Sequence, residues 1–374
     1  MKRLIIDGTS ISKKIDGLTQ YILNIVSNIE PNALNFSEIR MLLNKNNCPV
    51  NYLQKYRDNG IIIEYVTIPP IGPIREILFF LYLLKNKKNL DQYYIPSNQW
   101  PLGLKKGVYT IHDLIYEQYP EQLGRFKTLK KYYLRYIIKN GLNKSTKVIA
   151  VSKYTKNEIL KYYPKIKFLE EKITVIYEGY EHLLTINRNI NKNNFPFENY
   201  FLYVGSTRGH KNLKNLINAI YLIKESLLPS WGVVLIGNVS WMSKDLDNLI
   251  KKINNNRKII HVMGWLSEEE LSIIFSKSSA FIFPSLSEGF GIPVLEAFYY
   301  NIPLLCSNQT ALPEIAGEGA LYFDPKIPND IGEKMIFFVN NRDYLTKDLI
   351  NKGKERLKLF GWKIAAIKLS EYFI

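Results

Sequence analysis

Two glutamates eight positions apart, Glu288 and Glu296, carry the strongest chemical signal in this 374-residue chain. They stand in Pro284-Ser-Leu-Ser-Glu-Gly-Phe-Gly-Ile-Pro-Val-Leu-Glu296, directly after the apolar run Ala280-Phe-Ile-Phe283. The run reads as a buried strand. Pro293 suits the first turn of a helix, where its missing N–H costs nothing. Glu288 is then expected in the loop at the strand's C-terminal end and Glu296 in the first helical turn. The amides of Gly291, Ile292 and Val294 would point out of the helix start, a place suited to phosphate. One anion site beside two acids fits a nucleotide-sugar. The same residues also fit an ordinary strand–loop–helix whose glycines serve packing and whose glutamates cap the helix.

Three more segments hold chemically capable residues. In Tyr203-Val-Gly-Ser-Thr-Arg-Gly-His-Lys-Asn212, Arg208 and Lys211 sit in a loop between strand and helix. Preorganised cations there would stabilise the charge gained by a departing nucleoside diphosphate, although two basic loop residues are more often merely solvated. His112 and Asp113 follow a strand in Tyr109-Thr-Ile-His-Asp-Leu-Ile-Tyr116. Ile15-Asp-Gly-Leu-Thr-Gln-Tyr21 places Gly17 in a loop able to offer an amide.

These segments resemble the motifs of retaining GT-B glycosyltransferases, family four in particular. Glu288 and Glu296 match its E-x7-E pair. Gly264-Trp-Leu-Ser-Glu-Glu-Glu-Leu271 and Ser307-Asn-Gln-Thr-Ala-Leu-Pro-Glu-Ile-Ala-Gly317 resemble the flanking family segments, and the match is dense over 264–325. His112-Asp-Leu with Tyr119-Pro120 resembles the mannosyltransferase-like subgroup. The resemblance implies two Rossmann-like α/β domains facing a central cleft, residues 1–182 for the acceptor and 183–359 for the donor. A C-terminal helix over 360–374, opened by Phe360-Gly-Trp362, is expected to return to the first domain.

It also implies the site. Glu288 and His112 position the sugar, and Glu296 grips the ribose diol. Arg208 and Lys211 hold the diphosphate with the amides of Gly289, Phe290, Gly291 and Ile292. Gly17 and Gly205 line the donor's path, and the base packs near Val262 and Gly264. No metal and no cofactor beyond a GDP- or UDP-linked sugar is expected, because the cations and helix amides supply the charge a metal would give. Mannose from GDP-mannose is the first donor expectation, and a UDP-sugar the alternative. The chain departs from the family pattern at several places: Thr19 and Gln20 replace Gly and Arg, His210 replaces Arg, Glu178 replaces Asn, and Phe298-Tyr-Tyr-Asn301 replaces a small-residue helix end.

The elements that must position these residues alternate. Strand candidates are Leu4–Ile6, Ile61–Ile63, Gln92–Ile95, Gly107–Ile111 and Lys147–Val151 in the first half. Tyr200–Val204, Trp231–Ile236, Lys258–Val262, Ala280–Phe283 and Ile302–Cys306 follow in the second. Helical stretches separate them, with Ser152 as an N-cap and Ser267/Glu270 in capping-box spacing. Alternation of this kind argues for parallel sheets covered on both faces. The Asn-rich stretch Ile186–Asn194 reads as the interdomain linker.

Composition narrows the function classes. Cys48 and Cys306 form no metal or redox spacing, which suits a reducing cytosol. No secretory leader is visible. Ile77–Leu84 is far too short to span a bilayer and is expected to be a core helix. Residues 1–180 hold 28 Lys and Arg against 15 Asp and Glu, and the remainder 22 against 19. The excess peaks in Gly124–Gly141, six basic residues without an acid beside recurring Tyr, Leu and Ile. That segment reads as a basic amphipathic helix for an anionic membrane surface or a lipid-linked pyrophosphate. Nucleic acid is not expected, because no zinc-finger spacing or ribonucleoprotein-type motif accompanies the charge. A non-catalytic membrane scaffold and a GT-B epimerase are the alternatives outside transfer.

Overall fold

In a computed structural model, residues 2–13, 15–45, 47, 50–86, 88, 90–185, 197–237 and 243–373 are described. The linker expected at 186–194 and Cys48 lie outside them. The chain divides into two compact units, Met1–Gly179 with Phe360–Ile374, and Tyr180–Leu359.

The first unit is built on seven strands: β1 (Arg3–Asp7), β2 (Glu38–Asn44), β3 (Ile62–Val66), β4 (Gln92–Ile95), β5 (Val108–Ile111), β6 (Lys147–Ala150) and β7 (Ile173–Val175). Its helices are α1 (Gly17–Ser27), α2 (Val50–Asp58), α3 (Pro73–Asn86), α4 (Ile115–Gln118), α5 (Lys127–Lys144), α6 (Lys153–Tyr162) and α7 (Leu169–Lys172). The sheet runs β3-β2-β1-β4-β5-β6-β7 and all its pairings are parallel. β1 and β5 are buried at every position, the pattern of strands covered on both faces.

β2 and β7 have no counterpart among the strands expected from sequence. β2 reads Glu-Ile-Arg-Met-Leu-Leu-Asn, and its polar half hides the signal. Arg40 pairs with Glu38 and, across to β3, with Glu64, each at 2.7 Å. β7 is only three residues long. The Ile77–Leu84 run is core on one face only. Phe79 and Leu83 are buried, whereas Ile77, Leu81 and Leu84 are more than half exposed.

The second unit contains β8 (Asn199–Val204), β9 (Trp231–Ile236), β10 (Ile260–Met263), β11 (Ala280–Phe283), β12 (Leu304–Ser307) and β13 (Ala320–Phe323). Its helices are α8 (Leu213–Ile223), α9 (Lys244–Ile253), α10 (Glu268–Ser276), α11 (Ile292–Tyr299), α12 (Leu312–Ala316), α13 (Pro328–Asn340) and α14 (Arg342–Leu357). The order is β10-β9-β8-β11-β12-β13, again all parallel. Phe201, Trp231 and Phe338 meet in its core with ring centroids 5.0 to 6.2 Å apart.

In both sheets the winding direction reverses once, between β1 and β4 and between β8 and β11. Loops leaving the C-terminal ends of the two strands at such a reversal diverge and open a crevice. The last helix, α15 (Trp362–Ser370), belongs to the first unit. Fully buried Trp362 lies 5.8 Å from the Tyr21 ring of α1, and the Tyr372 hydroxyl donates to Thr174 Oγ1 of β7 at 3.2 Å.

Candidate active site

The reversal in the second unit brings together the loops after β8 and β11. The Gly205 amide extends the β9 ladder through the Ile236 carbonyl at 3.0 Å. Gly237 has φ +155°, and a Cβ on it would lie 1.9 Å from the Gly205 carbonyl oxygen, so this close crossing requires glycine. The chain then makes a 3-10 turn over Gly209–Lys211 and enters α8 through Asn212 at φ 59°. The Asn212 side-chain amide donates to the carbonyls of Pro284 and Pro325 at 3.0 and 2.6 Å, and the Leu286 N–H donates to the His210 carbonyl at 2.7 Å. These bonds stitch the two loops together. His210 is itself buried, and that burial pushes its pKa down to about 4, so the ring is neutral and sits beneath the loop.

Lys211 Nζ lies 2.7 Å from Glu288 Oε1, with side chains 23% and 11% exposed, and 5.6 Å from the centre of the Phe283 ring. The Glu288 N–H donates to Thr310 Oγ1 at 3.1 Å, and Thr310 itself takes φ 60°. Asn212 and Thr310 were not among the expected site residues. Their place inside the matching segments 203–212 and 307–317 was the available signal. Arg208 is exposed and has no ion pair among the described residues. The two expected cations therefore differ: Lys211 is fixed on an acid, and Arg208 stands in solvent.

Helix α11 begins at Ile292, with Pro293 in its first turn and Gly291 as cap at φ 101°. A Cβ on Gly291 would also meet Leu312 Cδ2 at 2.7 Å. The Val294 N–H is bonded to the Gly291 carbonyl at 2.9 Å, which removes it from the expected anion donors. Phe290 is buried, 4% exposed, so its ring packs inward. Gly289 is buried beside it and Ile292 half-buried. Glu296 is half-buried; burial, with Glu268 adding and Lys211 opposing, pushes its pKa up to about 7. Val262 is half-buried in the unit's edge strand β10, one residue before its end, and Gly264 is exposed with open space where a Cβ would stand.

In the first unit, His112 follows β5. Its Nε2 lies 2.9 Å from the Pro96 carbonyl, its N–H donates to Asn98 Oδ1 at 3.0 Å, and its Nδ1 faces Glu178 Oε1 at 3.7 Å. Asp113 turns the loop, its Oδ1 accepting the Ile115 N–H at 3.1 Å. Tyr21 is buried beneath, its ring edge-on to His112 at 4.5 Å. Gly17 is the exposed first residue of α1, whose cap is the Asp16 carboxylate, accepting the Thr19 N–H at 2.8 Å. An acid thus already occupies the helix start where a diphosphate contact was expected, and it would repel that anion.

Among the described residues no group of three or more His, Cys, Asp or Glu could hold a metal ion, and no helix is long and apolar enough to cross a membrane. Asp245-Leu-Asp247 has metal-motif spacing, but it lies on the first turn of α9, where Asp247 pairs with Lys251 at 2.7 Å.

Residues 185–356 match the family described as glycosyl transferases group 1, and residues 56–182 match glycosyltransferase family 4. The chain is 25% identical over 277 residues to the O-antigen chain mannosyltransferase B of Escherichia coli, which covers 72% of this chain and 71% of that protein. It is 30% identical over 226 residues to the O-antigen chain mannosyltransferase RfbU of Salmonella typhimurium, with 59% and 58% covered, so the match spans less than three fifths of that relative. Among solved structures it shares the fold of WaaG, a glycosyltransferase involved in lipopolysaccharide biosynthesis, with a TM-score of 0.73 at 13% identity and 99% of each chain covered.

Proposed function

We propose that this chain, which belongs to the family-four glycosyltransferases of the GT-B fold, is a retaining hexosyltransferase moving mannose from GDP-mannose to a glycan, lipid-linked and destined for surface polysaccharide. The observation that carries it is the Lys211–Glu288 pair at the strand reversal of the second unit, with Glu296 one helical turn into α11. Lys211 supplies positive charge where a leaving diphosphate gains negative charge, and Arg208, which is exposed, closes on the same phosphates. Glu296 accepts from both hydroxyls of a ribose diol. Glu288 and His112 position the sugar. Charge supplied in this way needs no metal and no further cofactor. Mannose is favoured by the two O-antigen relatives and by the His112-Asp-Leu segment.

The acceptor side is read from surface chemistry of the first unit. Helix α5 and its cap residue Phe126 expose Phe126, Leu129, Tyr132 and Tyr136 beside Lys127, Lys130 and Lys139, and α3 exposes Ile74, Ile77, Leu81 and Leu84. The Tyr133 hydroxyl of α5 donates to Glu76 of α3 at 3.3 Å, so the two helices adjoin. Part of the α5 charge is already neutralised, since Lys131 and Arg135 both pair with Glu117 of α4, at 3.0 and 2.5 Å. Apolar and aromatic side chains rimmed by the remaining lysines suit an anionic bilayer, which gives a peripheral enzyme on the cytoplasmic membrane face.

Calorimetric binding of GDP, UDP and their sugar conjugates tests the donor. Selective binding of GDP-mannose supports the reading, and selective binding of a UDP-sugar keeps the transferase but replaces its donor. No binding of any nucleotide by folded protein, together with salt-sensitive flotation on anionic vesicles, favours a non-catalytic scaffold.

A further inference from the structure

We infer that Thr310 is a positioning residue for Glu288: its hydroxyl holds the Glu288 amide, and for this it occupies a backbone conformation that suits glycine. The Glu288 N–H donates to Thr310 Oγ1 at 3.1 Å, and Thr310 has φ 60°. Five non-glycine residues take a positive φ among the described residues, and Thr310 is the β-branched one. Branching at Cβ makes this region an outlier for threonine, whereas the asparagines at 212 and 301 enter it more readily.

The surroundings impose the angle. Before Thr310, the Asn308 N–H donates to the Phe323 carbonyl at 2.9 Å and the Gln309 N–H to Ser307 Oγ at 3.1 Å. After it, Ala311 and Leu312 are fully buried. The Leu312 N–H closes a four-residue turn on the Gln309 carbonyl at 3.3 Å, with Ala311 at φ −77° and ψ −14°. Positive φ at the first central position, followed by this second pair, has the signs of a type II′ turn. Glycine fills that first position without strain. Glycine at 310 would therefore fit the turn and leave the Glu288 N–H without its acceptor. Glu288 is 8% exposed, so the orphaned donor would carry a desolvation penalty and the loop would shift to relieve it.

Glu288 is thereby held at both ends. Thr310 takes its amide, and Lys211 Nζ takes Oε1 at 2.7 Å. The consequence for transfer rests on the proposed function, in which Glu288 positions the sugar; the tie between Thr310 and Glu288 does not. A group that must meet a sugar in the transition state tolerates little displacement.

The test uses the full chain. Thr310→Val removes the acceptor and keeps the branched shape, and Thr310→Ser keeps the acceptor. Thr310→Gly removes the acceptor together with the strain, and serves if the valine variant does not fold. Hydrogen–deuterium exchange is read at the Glu288 amide without ligand. It is expected to quicken about tenfold or more in the valine and glycine variants and to stay within about threefold of wild type in the serine variant. The amides of β9 are expected to be unchanged in all three. In turnover, kcat should fall about tenfold or more in the valine and glycine variants and about threefold at most in the serine variant. Affinity for GDP or UDP alone, whichever the wild type binds, should stay within about twofold throughout, because Glu288 addresses the sugar and not the nucleotide. A merely structural role would lower nucleotide affinity and turnover together. Wild-type exchange at Glu288 in the valine or glycine variant, a serine variant as impaired as these, or wild-type kcat without the hydroxyl overturns the inference. Loss of protection at Glu288 in a protein that turns over no sugar nucleotide leaves the positioning standing and sinks the transferase reading alone.

Discussion

The two strand reversals share one topology and differ in what lines them. At β8/β11 the charged groups are addressable: the side chains of Lys211 and of the Glu288 it binds are 23% and 11% exposed, Arg208 is exposed, and Gly237 lets the backbone cross closely. At β1/β4 they are closed in on themselves. Fully buried Arg75 binds Asp7 Oδ2 at 2.6 Å and Glu76 Oε1 at 3.0 Å, while Asp7 Oδ1 accepts the hydroxyl of Thr9 at 2.6 Å. Ser10 and Ser97 join their hydroxyls across the reversal at 3.2 Å. In the first unit the proposed site residue stands one strand over instead, at His112 after β5. A shared winding order therefore fixes where a crevice can open, and side chains decide whether it holds ligand or structure.

The strongest way to break this comparison is to exchange the consequences. Glu288→Ala is expected to reduce transfer by about a thousandfold or more while unfolding cooperatively as the wild type does. Turnover within about tenfold of wild type would remove Glu288 from the chemistry. Arg75→Met should do the opposite. It strands Asp7 and part of Glu76 in the interior, which costs about 3–5 kcal/mol, read as a lowered urea midpoint, with donor affinity per folded molecule unchanged. A loss of donor binding equal to that of Glu288→Ala, without loss of stability, would mean that the first reversal also binds ligand.

Gly291→Ala sharpens the same contrast at smaller scale. The residue needs φ 101°, which strains an alanine, and the new methyl meets Leu312 Cδ2 at 2.7 Å, so that side chain must move. The expected cost is about 1–3 kcal/mol, with a rise in donor KM because Glu296 is carried on that turn. Gly264→Ala, at an exposed position where the methyl meets nothing, is the matched control for stability alone.

What was legible in the sequence was local. Ser152 accepts the Thr155 N–H at 2.9 Å, Ser267 and Glu270 form their reciprocal box, Pro293 opens α11, and Asn301 closes it at φ 57°. Each depends on residues within a few positions of one another. What was not legible depends on distant partners. β2 is held by an ion pair to β3, and Arg75 meets an acid 68 positions away. The bulky Phe298 departure also resolves at a distance. Gly319 and Gly353 give it room, since a Cβ on either would come within 2.8 Å of its ring. Of the candidate site, the motif match put Glu288 and Lys211 in one site, whereas their direct ion pair, the inward turn of Phe290 and the capped Val294 amide required tertiary context.

The smallest effect is the most diagnostic of Glu296. Its carboxyl sits near 7 chiefly because burial disfavours the charged form. A diol grip needs that charged form, so donor affinity should fall as pH drops below about 7, by up to tenfold per unit, with the proton and the ribose competing for one group. Stability runs the other way. A folded value raised above the unfolded one favours the folded state fully below the ordinary carboxyl range and loses that contribution as pH rises through about 7. Glu296→Gln removes the titration. It should therefore flatten the pH dependence of donor binding and, above pH 7, make the protein more stable than wild type by on the order of 1–3 kcal/mol. The comparison partner is Asp7, whose carboxylate is bound to Arg75 and faces no donor, so Asp7→Asn should leave the pH profile of donor affinity where it was. If Glu296→Gln keeps the wild-type profile, the group that titrates against the donor is elsewhere, and the ribose contact must be reassigned.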